Sequence, residues 1–146
     1  MRLTQFTDNA LRCLMLLALR AGGAVPIPEI ARTMEISEDH LAKIVQRLVR
    51  LGYVQTSRGR FGGVRLSRDP AEINLGQLVR VTEKHFDPVA CCGECAAACP
   101  IAPACSIGPV FSDALTAFLA VLDGRTLESV IVRRAAERRE LMASVG

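Results

Sequence analysis

The chain has 146 residues, half of them hydrophobic, 23% charged, with a formal net charge of +3. At that length one domain of ordinary size can bury a core of its own, and no disulfide framework is needed to hold it. The apolar run Cys13 to Ala18 is too short, and too closely flanked by Arg12 and Arg20, for a secretory leader or a membrane span, so the protein is expected to be cytoplasmic, with reduced thiols and no membrane partner.

The charge is uneven. Residues 1–82 hold twelve Lys/Arg against seven Asp/Glu, whereas 83–146 hold six against eight, which makes the first half the expected nucleic-acid half. In chain order, Thr7 to Arg20 reads as a helix with Leu11, Leu14, Met15 and Ala18 on one face and Asp8 in its first turn, where a carboxylate suits the helix dipole. Pro28 to Met34 is a short second helix. After a turn at Glu35-Ile36, Ser37 caps a third helix running to about Leu51, with Leu41, Ile44, Val45 and Leu48 buried. This is the helix-turn-helix pattern. The outer faces of its second helix carry His40, Lys43, Gln46, Arg47 and Arg50 as candidate DNA contacts.

Gly52 stops that helix. Tyr53 to Thr56 and Val64 to Leu66 read as two strands around the turn Ser57-Arg58-Gly59-Arg60-Phe61-Gly62-Gly63, a hairpin wing whose Arg58 and Arg60 suit a phosphate backbone or minor groove. Its glycines have the wrong spacing and setting for a dinucleotide fingerprint. Asn74 to Thr82 is a fourth helix. Pro109 to Leu122 is a long one, with Phe111, Leu115, Phe118 and Leu122 at helical period and Val110 and Val121 adding further apolar surface. It has more to bury than its own small domain supplies, so it is expected to form a homodimer. Thr126 to Val132 is a last short helix, and Arg133-Arg134 and Arg138-Arg139 lie in an expected flexible tail.

Five of the six cysteines fall between Cys91 and Cys105, in a Gly/Pro/Ala-rich stretch too poor in large side chains to be core. Thiolates that close repel one another unless a soft cation neutralises them. Zinc and an iron-sulfur cluster both answer that need, and the spacing alone does not choose between them. Cys13, among Leu and Met, reads as a packed small hydrophobe. No Ser/His/Asp set, P-loop or paired-carboxylate site is visible, so no enzyme activity is expected.

Met1-Arg2-Leu3-Thr4-Gln5-Phe6-Thr7-Asp8, the helix-turn-helix, the Arg-Gly-Arg-Phe-Gly-Gly wing and the Cys-Pro-Ile-x-x-x-Cys spacing together resemble the winged-helix iron-sulfur regulators that include NsrR, IscR and RirA. Phe-Thr-Asp at the start of the first helix is most similar to the nitric oxide-sensitive NsrR branch. The resemblance implies a mainly α fold with a small β-hairpin wing, comprising a winged helix-turn-helix region (1–82), a cluster loop (83–108), a dimerisation helix with a following short helix (109–132) and a basic tail (133–146). It implies a [4Fe-4S] cluster, with [2Fe-2S] as the alternative and zinc the lesser one, held by Cys91, Cys99, Cys105 and Asp8 of the partner subunit. Cys92 and Cys95 compete with Cys91 for the first position, and His85 is an alternative fourth ligand. The implied function is a homodimeric repressor on a palindromic double-stranded DNA operator, with nitric oxide as the signal. Two other functions stay open, an iron- or redox-sensing regulator of the same fold and a cluster-binding redox or carrier protein that binds no DNA.

Overall fold

A computed structural model of the protein describes residues 2–20, 23–59, 62–86, 100–101 and 105–131. Its helices are α1 (Gln5–Leu19), α2 (Ile27–Met34), α3 (Glu38–Arg50), α4 (Leu75–Thr82), α5 (Ile107–Asp123) and α6 (Leu127–Val130). Between α3 and α4 lie one antiparallel pair, β1 (Val54–Ser57) and β2 (Gly63–Leu66), and a 3-10 turn at Pro70–Glu72 that the sequence reading did not foresee. The mainly α fold with a two-stranded wing is as expected.

The element boundaries move for identifiable reasons. Helix α1 begins at Gln5 rather than Thr7 because Thr4 caps it, its hydroxyl accepting from the Thr7 N–H at 3.3 Å. The first wing strand begins at Val54 because Tyr53 belongs to the end of α3. The Tyr53 N–H donates to the Leu48 carbonyl and the Gly52 N–H to Val49, each at 3.0 Å, with Gly52 at φ +73°. That is the 6→1 and 5→2 pairing of a Schellman stop, and it takes a glycine at the left-handed position. Helix α5 starts at Ile107, two residues before Pro109, since a proline in a first turn forfeits no intrahelical hydrogen bond. The last helix is cut to Leu127–Val130, with Thr126 outside it as the cap.

The core is formed by the first four helices and the wing. Leu14, Leu17, Ile30, Leu41, Ile44, Leu48, Val54, Val64, Ile73 and Leu78 are almost wholly enclosed, and Leu127 of α6 joins them. The wing is fastened to this core by Val25, whose N–H and carbonyl pair with those of Val64 at 2.9 and 2.8 Å. Gly63 permits that approach, because a Cβ there would collide with the Val25 carbonyl.

Helix α5 is anchored at its C-terminal end. Asp123 forms a two-pronged ion pair with Arg80 of α4, Asn74 Nδ2 donates to the Asp123 carbonyl at 2.7 Å, and the Leu75 N–H donates to the Arg125 carbonyl at 3.0 Å. Gly76 makes room, since a Cβ at that position would overlap the Asp123 carboxylate. No residue of α5 is buried, and Val110 and Val121 are 61% and 66% exposed.

Candidate nucleic-acid interface and metal centre

Helix α3 has two faces. Leu41, Ile44, Val45 and Leu48 are buried, while Lys43, Gln46 and Arg50 are exposed and His40 is half-buried. The three-and-four spacing of 43, 46 and 50 makes one polar row, and Ser37 fixes where the helix begins by accepting from the His40 N–H at 3.2 Å. The sharp entry into α3 uses Glu35 at φ +55°, the one non-glycine residue with positive φ among those described. Arg58 is exposed at the end of β1; Arg60 lies outside the described residues.

Arg47 departs from that row. It is half-buried, its guanidinium carbon lies 4.8 Å from the centre of the Phe6 ring, and its Nη2 donates to the Val81 carbonyl at 3.1 Å. Nothing local in the sequence announces this, because Phe6 and Val81 lie 41 and 34 positions away along the chain.

Of the candidate metal ligands, Cys105 stands half-buried just before α5, and Cys91, Cys92, Cys95 and Cys99 lie outside the described residues. Cys13 is fully buried as expected, and burial pushes its thiol up to about 12, which keeps it protonated and out of metal chemistry. Asp8 is exposed on the first turn of α1. Its nearest cation is Arg12, one turn on at 4.0 Å, and both side chains are mostly in water, so the carboxylate is free to take another partner at small cost. It lines a cleft of about 1170 Å³ between the start of α1 and the α2–α3 turn, together with Asn9, Met34 and Ile36. His85 is exposed. Among the described residues no three His, Cys, Asp or Glu side chains converge. Cys105 and Asp8 are a thiol and a carboxylate, donor types that iron and zinc sites use.

One further polar contact escaped the sequence reading. Glu83, at the end of α4, is buried, and its Oε1 accepts from the Thr4 N–H at 2.7 Å and from the Thr4 hydroxyl at 3.0 Å. Burial alone would raise the Glu83 pKa, but hydrogen bonds from Thr7 and Thr4 outweigh it and hold the carboxyl below its ordinary value.

A helix-turn-helix with a cationic polar row, backed by a hairpin wing, defines a DNA-binding protein of the winged-helix class. Residues 3–133 match the family model of Rrf2, described as an iron-dependent transcriptional regulator. The chain belongs to the Rrf2 family. It is 47% identical over 132 residues to the HTH-type transcriptional regulator NsrR of Bacillus subtilis strain 168, covering 90% of each chain. Among solved structures, CymR, the global cysteine regulator of B. subtilis, superposes with a TM-score of 0.67 at 29% identity, covering 89% of this chain and 95% of that one. IscR of T. potens gives 0.69 at 25% identity, covering 88% and 85%. These relatives are transcriptional regulators rather than enzymes, and no helix among the described residues is long and apolar enough to cross a membrane.

Proposed function

We propose that the protein is a cytoplasmic, homodimeric repressor whose affinity for a palindromic operator is set by an iron-sulfur cluster and lost on exposure to nitric oxide. The observation that carries the DNA half is the row His40, Lys43, Gln46 and Arg50 on an α3 whose other face is locked in the core. Arg58 and Arg60 of the wing add phosphate contacts. The two α3 helices of a dimer must sit about one DNA turn, roughly 34 Å, apart to read two half-sites. Helix α5, anchored at one end and apolar along its length, is the surface through which two copies meet.

The metal half rests on the similarity to the B. subtilis NsrR. Cys91, Cys99 and Cys105 hold a [4Fe-4S] cluster in the loop of residues 83–108, and Asp8 of the partner subunit completes it. When bound, such a cluster would supply iron able to take nitric oxide as a ligand, and Asp8 would be its one oxygen ligand and weaker hold. Asp8 would tie the first helix of one subunit to the loop of the other, and its release would let the spacing of the reading heads change. The family description, iron-dependent, favours a second reading in which iron supply is the signal.

Anaerobically purified protein tests both. Its absorption spectrum and iron and sulfide content are expected to give [4Fe-4S]; a [2Fe-2S] count or zinc would replace the cofactor. Operator affinity is expected to fall with nitric oxide and to hold against a chelator, and the opposite response selects the iron-sensing reading. Asp8→Ala is expected to keep a cluster yet bind the operator alike with and without it. A mere helix-dipole role for Asp8 predicts instead a loss of about 0.3 to 1 kcal/mol of stability with regulation intact.

A further inference from the structure

Arg47 sits where a base contact would be expected, yet it is tied to two other elements. Phe6, under its guanidinium, is in the first turn of α1, two residues before Asp8. Val81, which accepts from it, is in the last turn of α4, two residues before Glu83. The Val81 carbonyl is one of the last-turn acceptors that an α-helix leaves without an internal partner, so a charged donor there satisfies a real vacancy in the hydrogen bonding. A cation over an aromatic face adds to it.

Glu83 closes the ring. By holding both the N–H and the hydroxyl of Thr4, the cap of α1, it fixes the end of α4 to the start of α1. Three elements therefore meet at one junction: α3 through Arg47, α1 through Thr4 and Phe6, and α4 through Val81 and Glu83. Two of them lead directly to the proposed metal ligands. Asp8 follows Phe6 on α1, and the cysteine-bearing segment follows Glu83.

We propose that Arg47 is a positioning residue, one that sets the angle of α3 against α1 and α4 and passes the state of the cluster loop to the DNA-reading row. This rests on the reading above, that the loop carries a cluster which controls operator affinity. The guanidinium is seated on Phe6 and Val81, and in the proposed switch it has a second, released arrangement. A shift of α1 or of the end of α4 selects between them, and α3 turns with the choice.

The test uses full-length protein with and without its cluster, measuring operator affinity and its salt dependence for wild type, Arg47→Ala, Phe6→Leu and the double variant. Phe6→Leu removes the ring without touching charge. Each single change is expected to shrink the ratio of affinities between cluster-loaded and cluster-free protein by about fivefold or more, the lower end of ordinary allosteric coupling. The double variant is expected to do no worse than either single, as residues acting through one contact behave. Arg47→Ala is expected to leave the slope of log affinity against log salt unchanged. A slope reduced by about one, an equal loss with and without cluster, and a wild-type-like Phe6→Leu together would overturn the proposal in favour of direct DNA contact. A wild type that responds to its cluster while both singles respond identically sinks the inference alone; a wild type with no response sinks the functional reading and the inference with it. Should Arg47→Ala fail to fold, Phe6→Leu decides.

Discussion

The helices α1 to α4 and the helix α5 treat apolar surface in opposite ways. The first four place their hydrophobic faces in one shared core, with Leu14, Leu17, Ile30, Leu41, Ile44, Leu48, Leu78 and Val79 at most 1% exposed. Helix α5 has a more apolar composition than any of those four, yet none of its 17 residues is buried. What holds it lies at one end, in the Arg80–Asp123 pair, the Asn74 amide, the backbone pairing of Leu75 with Arg125 and the partly buried Leu122 against the core. A helix so attached is built to be completed by something else. In the proposed homodimer a second copy of the same helix would do so with no further component.

The widest test of that contrast is to delete the same kind of group from each region. Leu48→Ala, in the core, is expected to cost about 2 to 5 kcal/mol, read as a lower denaturant midpoint. Val121→Ala, on the open face of α5, is expected to change the stability of dilute, dissociated protein by no more than about 0.5 kcal/mol. Equal losses would mean that α5 is covered within its own chain.

A sharper form puts charge on the open face. Val110→Glu with Val121→Glu is expected to raise the dimer dissociation constant about a hundredfold, equivalent to about 2.8 kcal/mol, in sedimentation equilibrium. Operator affinity falls with it, whereas the wing and helix-turn-helix keep their fold. An unchanged dimer would move the interface elsewhere.

The smallest effect concerns the junction between the regions. Glu83 has its pKa held below the ordinary carboxylate value, so its contribution to stability is fully present above about pH 4.3 and is lost as pH falls through the lower folded value. Glu83→Gln is expected to be less stable than wild type by about 1 kcal/mol at pH 7. Thermal unfolding at several pH values is expected to show that gap closing in acid. A gap independent of pH would show that the hydrogen bonds matter and the charge does not.

Much of this molecule was legible along the chain because its elements are locally encoded. The apolar spacing of Leu41, Ile44, Val45 and Leu48, with Ser37 as cap, determined α3; Gly52 determined where it stops; and the period of Phe111, Leu115, Phe118 and Leu122 determined α5. Cys13 read correctly as core. Boundaries slipped wherever a cap outvoted periodicity, as Thr4 did for α1 and Tyr53 for the wing. The cysteine positions Cys91 to Cys99 and the wing Arg60 stand outside the described residues, so their roles rest on sequence resemblance and on the proposals above.

Tertiary structure decided the rest, and the reason is one of distance. The Val25–Val64 pairing, the Arg80–Asp123 pair, the Glu83–Thr4 hydrogen bonds and the seat of Arg47 on Phe6 join residues between 39 and 79 positions apart. A helical period states which side chains share a face. It does not state which of several exposed cations on that face will find an aromatic ring and an unpaired carbonyl when two other helices arrive. Lys43 and Arg47, four residues apart on one helix, are alike in sequence terms, and only the packing of α1 and α4 against α3 turns one to solvent and the other to the junction.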